Sequence, residues 1–147
     1  MGTPRRPARL LAVALAAGLV LGAAACGSDE GSDALTKSEF IDQADAICKA
    51  GAARIDKRSD EVDRSDQASV DEFVTYAAES TLDQIAKVRD LGFPEGDEQE
   101  LDEAFTVYET QFEALAKDPS KINDGADPAA KEAQATMKAY GFEECGV

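Results

Sequence analysis

Beyond Leu35 the apolar positions recur at intervals of three and four residues, the period of an amphipathic helix. In the first such stretch, Phe40, Ala44, Ile47, Cys48, Gly51 and Ile55 share one face. Thr36 precedes them as a predicted N-cap, and Glu39 stands at the partner position of a capping box. This helix is expected to run to about Arg64, with the charged segment KRSDEVDR fraying at its end. Gly51 costs about 1 kcal/mol against Ala in a helix interior, unless a neighbouring helix uses the space.

Three more helices follow. Ser69 and Glu72 form a second candidate capping box, ahead of a stripe of Val70, Phe73, Val74, Ala77, Ile85 and Val88. LGFPEG ends it, because Gly92 tolerates a positive φ and Pro94 cannot continue a helix. The third helix begins at Asp97, with Glu100 at the capping-box position. Its seam of Leu101, Phe105, Tyr108, Phe112 and Leu115 is the most regular in the chain. KDPSKINDGADP interrupts it. The fourth has Asp127 as N-cap and Pro128 at the first helical position, where the missing N–H costs nothing. Ala130, Ala133, Met137 and Tyr140 line its face, and Gly141 ends it. No segment alternates with the period of a strand. The predicted fold is all-α, an up-and-down four-helix bundle over residues 35–147.

The first 34 residues follow other rules. Arg5, Arg6 and Arg9 precede an uncharged apolar run of 12 residues, Leu10 to Leu21, then small residues and Cys26. This is the layout of a bacterial secretory signal. The run is short for a bilayer core of about 30 Å, so a permanent transmembrane anchor is the weaker reading. Arg5-Arg6 reads as an ordinary positive region, since Pro7 and Ala8 do not suit a twin-arginine signal. Ala24, Ala25 and Cys26 resemble a bacterial lipobox, in which the cysteine becomes a lipidated N-terminus. Ala23 departs from it, the larger aliphatic residue being usual there, and this leaves ordinary cleavage after Ala25 open. The expected organisation is a signal peptide over 1–25, a lipidated flexible tether over 26–34 and the helical domain. Several acyl chains, at roughly 0.8 kcal/mol per buried CH₂, make a stable anchor where one does not.

Charge sharpens this picture. The chain has 15 basic and 30 acidic residues. Removing residues 1–25 takes away three arginines and no acid, leaving twelve against thirty. Such a surface offers no footprint for nucleic acid, and it repels anionic headgroups, so the domain should stand off the membrane. There is no His. Serine–histidine and cysteine–histidine catalysis and His-ligated zinc are thereby excluded.

Three cysteines are present, Cys26, Cys48 and Cys145. With Cys26 given to lipid, the other two can pair in an oxidising compartment. With short connections, four up-down helices return the C-terminus to the starting end of the first helix, whereas three leave it at the far end. A bridge from helix 1 to the C-terminal tail therefore suits four helices, the alternative being two separate buried thiols. FIDQADAIC, LGFPEGDEQELDEAF and AYGFEECG together resemble a group of small lipoproteins of unknown function from high-GC Gram-positive (actinobacterial) bacteria. That resemblance spans most of residues 37–146 and implies Cys48 and Cys145 as the paired positions of an envelope-facing helical domain. It implies no activity.

Candidate chemistry is sparse. The acids of DEQELDE, Asp97 to Glu103, read as a solvated helix start. An EF-hand around Gly125 would need oxygen ligands at 120, 122 and 124 and a glutamate at 131; Ile122 and Lys131 fail. Phe73, Tyr76, Phe105, Tyr108, Phe112 and Tyr140 could line a small-molecule cavity or simply form core. The expected role is non-catalytic: an interaction or accessory module at the outer face of the cytoplasmic membrane, held there by lipid on Cys26 and partnered by an envelope protein. The alternative is a carrier or sensor of a small apolar ligand between the helices. No cofactor or metal is expected.

Overall fold

A computed structural model describes residues 34–125 and 127–146. The signal segment, the lipobox and Cys26 lie outside the described residues, as does the tether up to residue 33. Four helices form: α1 (Lys37–Ser59), α2 (Gln67–Arg89), α3 (Glu98–Lys117) and α4 (Pro128–Tyr140), with a short 3-10 helix, Pro119–Asp124, between α3 and α4. The described residues contain no strand. The chain is an all-α, up-and-down four-helix bundle with one disulfide, Cys48–Cys145.

The helix starts show which local signals won. At α1 the predicted box forms: the Thr36 hydroxyl accepts from the Glu39 N–H at 3.3 Å, and the Glu39 carboxylate accepts from the Thr36 N–H at 3.0 Å. Two N-terminal donors are thereby satisfied. α1 stops at Ser59 rather than near Arg64. There the Ser59 hydroxyl turns back onto the Asp56 carbonyl, and Asp63 bonds both the N–H and the hydroxyl of Ser65. These local bonds compete with helix propagation.

α2 is capped three residues earlier than predicted. Asp66 caps it by accepting from the Ala68 N–H at 3.1 Å, while the Ser69 hydroxyl accepts from the Asp63 N–H and Glu72 pairs with Arg58. α3 keeps Asp97 at its cap position, but no capping bond forms there. The Asp97 carboxylate instead accepts from the Tyr140 hydroxyl at 2.7 Å. α4 starts as expected, with Asp127 accepting from the Ala129 N–H and Pro128 behind it.

Consecutive helices pack on one another, and the 3-10 helix packs on α2 and α3. α1 and α4 behave differently: their Cα atoms nowhere come within 8 Å. The tail after α4 fills that side. Phe142 and Cys145 are both buried there and join Phe40 and Ala44 of α1 to Ala133 and Met137 of α4 in one core. Phe40, Phe93, Phe105 and Phe142 meet at the end where α1 and α3 start and α2 and α4 finish. Only alternate helix directions bring those four positions together.

Candidate functional site

The tail is the most heavily fastened irregular segment. Asp45 lies on α1, three residues before Cys48 and therefore on nearly the same face. Its carboxylate accepts from the backbone N–H groups of Glu143, Glu144 and Cys145 at 2.9, 3.0 and 3.0 Å. Three donors that leave α4 without helical partners thus converge on one charge, the strong kind of hydrogen bond. The disulfide joins α1 to the tail one turn further on, with a Cα separation of 5.3 Å. Lys49 pairs with Glu144 at 3.0 Å, and Glu144 is the first cause of the upward shift of the Lys49 pKa. The Tyr108 hydroxyl donates to the Gly146 carbonyl at 3.3 Å. Gly146 is required at this point: a Cβ would lie 2.9 Å from Met137 Sδ, and its φ is +78°.

Behind the tail is a cleft of about 260 Å³ between α1, α2, α3 and α4. The disulfide forms part of its wall, with Ile55, Ile85, Phe112 and Met137 supplying apolar surface. Gln84 of α2 also faces it and is only 7% exposed, the one buried polar residue among the described residues. Its amide nitrogen donates to the Ser80 carbonyl at 2.9 Å. Its amide sits where a side chain at position 51 would be: a Cβ on Gly51 would lie 1.9 Å from Gln84 Cδ. Gly51 is thus spent on the close approach of a side chain rather than of a helix backbone.

The six aromatic candidates divide evenly. Phe105, Tyr108 and Phe112 line the cleft. Burial pushes the Tyr108 hydroxyl pKa up. Tyr140 lies instead at the aromatic end of the bundle, buried beneath Lys37, whose ammonium sits 3.7 Å from the ring centroid. Its pKa is raised well above the ordinary value of 10.0, by burial first and then by its bond to Asp97. Phe73 and Tyr76 are half-buried on the first half of α2. Phe73 precedes Gln84 by 11 residues, about 16 Å along the helix at 1.5 Å per residue. They share a stripe with the cleft but not a level. Sequence reasoning missed Asp45 and Gln84. The first was legible as an acid one turn before a cysteine, and the second as a polar residue inside the stripe between Ala77 and Val88.

The carboxylates of Glu39, Asp63 and Asp118 are shifted down, because the hydroxyls of Thr36, Ser65 and Ser120 hydrogen-bond to their charged forms. A general acid at neutral pH needs the opposite shift. Arg89 of α2 is committed to α3, where it meets Asp102, Thr106 and Glu109. Among the described residues, no group of three or more His, Cys, Asp or Glu is placed to hold a metal ion. A wider, open groove of about 640 Å³ runs between α3, the 3-10 helix and the start of α4, with Ile122 54% exposed beside it. No described helix is long and apolar enough to cross a membrane. No protein family, curated protein or solved structure matches this chain.

Proposed function

We propose that the chain is a lipid-anchored, non-catalytic module of the bacterial cell envelope, presented at the outer face of the cytoplasmic membrane and serving an envelope protein partner. The observation that carries this reading is the Cys48–Cys145 bridge. It uses two of the three cysteines and leaves Cys26, at the end of the signal-like segment, as the remaining one. A disulfide that closes most of the domain also suits an oxidising compartment. α1 starts at the aromatic end, so the α1–α2 turn and the 3-10 helix lie at the opposite end of the bundle. Half-buried Phe73, Val74 and Tyr76 and exposed Ile122 lie toward that distal part and supply apolar surface for a partner.

Replacing Cys26 by Ser tests the anchor. The wild-type chain is expected in the membrane fraction of its host, and the Cys26→Ser chain in the soluble extracytoplasmic fraction. A variant that stays with the membrane through salt and carbonate washing contradicts the assignment. The second reading, a carrier or sensor of a small apolar ligand, is favoured by the cleft beside the bridge, whose walls include Phe105, Tyr108 and Phe112.

A further inference from the structure

We propose that the cleft beside the disulfide is a binding site for a small uncharged ring compound bearing one hydrogen-bond donor, with Gln84 as the group that receives the donor. The inference rests on the second reading above and gives it a ligand class. Its failure leaves the anchor assignment standing, because that is decided by where the Cys26→Ser chain fractionates.

Two features of the cleft go beyond what packing requires. Gln84 is 93% buried, and its Nε2 bonds the Ser80 carbonyl at 2.9 Å. That bond fixes the amide orientation, since the reversed amide would set oxygen against oxygen. The other end, Oε1, accepts no hydrogen bond among the described residues and is not one of their fully buried unpaired atoms, so it is an open acceptor that water still reaches. A ligand that displaces this water must return a donor to the carbonyl, or leave it unpaired at a cost in affinity. The second feature is Gly51. A glycine in the middle of a 23-residue helix weakens it, and here the glycine serves to clear the space that the Gln84 amide fills. A helix-weakening glycine on α1 thus makes room for an open amide acceptor on α2, at the cleft wall.

Size and charge narrow the ligand. At about 260 Å³ the cleft lies above the roughly 150 Å³ that accommodates benzene and just below the roughly 300 Å³ at which drug-sized pockets begin. One or two fused rings fit that interval. Ile55, Ile85, Phe112 and Met137 offer the ring apolar contact, and a single hydroxyl or N–H would reach Gln84 Oε1. Glu144 stands at the rim, and the whole chain carries −15, so a carboxylate or phosphate is disfavoured.

Methyl NMR of the full chain tests this with three probes of one shape: 2-naphthol, 2-methylnaphthalene and 2-naphthoate. The naphthol is expected to shift the Ile55, Ile85 and Met137 methyl signals saturably, and to bind at least as tightly as the methyl compound. A cleft offering only apolar contact would favour the methyl compound by roughly tenfold, the cost of burying an unpaired hydroxyl. In Gln84→Leu the preference should reverse to that tenfold bias. The naphthoate should bind roughly tenfold or more weakly than the naphthol. The proposal is overturned if none of the probes saturates these signals, if the methyl compound is preferred by the wild-type chain, or if the naphthoate equals the naphthol. Should Gln84→Leu fail to fold, the wild-type comparison decides alone.

Discussion

The two ends of the bundle are built differently. At the end where the tether enters, Phe40, Phe93, Phe105 and Phe142 form a ring-to-ring cluster, and Tyr140 ties α4 to Asp97 at the start of α3. Close by, the tail is held by three N–H bonds to Asp45 and by the disulfide. At the distal end, α2 presents Val70, Phe73, Val74 and Tyr76 in half-buried positions, and Arg58 makes exposed ion pairs to Glu61 and Glu72. The helices also differ in length. α2 has 23 residues and α4 only 13. At 1.5 Å per residue they reach about 35 and 20 Å. α4 packs on α3 and brings no Cα within 8 Å of α2, whereas the 3-10 helix packs on both α2 and α3. An apolar stripe thus records which face a helix turns inward, but not which neighbour packs on it.

The largest expected difference comes from the bridge. Replacing Cys48 and Cys145 together by Ser should cost about 4.7 kcal/mol on chain-entropy grounds for a loop of roughly 100 residues. Urea unfolding measures it, and a loss below about 1 kcal/mol would show that the bridge does not brace the tethered end. Next come paired truncations. Phe40, 0% exposed, should cost about 3–5 kcal/mol as Phe40→Ala. Phe73→Ala should cost less, about 2 kcal/mol, since its ring is only partly buried. Equal losses would mean that the distal end is packed as tightly as the aromatic one.

The smallest effect is read by pH. The pKa of Tyr140 is raised in the folded chain, so the neutral phenol is favoured by folding. The associated stability is complete below the unfolded value near 10.0 and is lost as pH rises above it. Thermal unfolding should therefore show a steeper decline above pH 10 for the wild-type chain than for Tyr140→Phe. Identical alkaline profiles would remove Tyr140 from the fastening of that end.

Much of this was readable from residue spacing. The four helices, the Thr36–Glu39 box, the Asp127–Pro128 start and the pairing of Cys48 with Cys145 follow from local chemistry and short connections. The start of α2 was misplaced because Asp66 and Ser69 are both good caps, and the choice depends on where the Ser69 hydroxyl finds a donor, the Asp63 N–H. Asp97 looked like a capping residue because its partner, Tyr140, is 43 positions away. The cleft was half legible. Phe105, Tyr108 and Phe112 lie on one seam of α3, but Phe73 and Tyr76 resemble them in spacing while sitting at another level. Gln84 and Gly51 make sense only as a pair, and periodicity treats each residue alone.

The account depends most on a division of three cysteines, two to the bridge and one to the membrane. Intact mass analysis of the chain extracted from native membranes, alkylated with and without prior reduction, reads that division directly. The account predicts a polypeptide beginning at Cys26 and carrying acyl mass. Without reductant it should take up no alkyl group, and after reduction it should take up two. An unacylated chain, or alkylation of Cys48 and Cys145 without reductant, would contradict it.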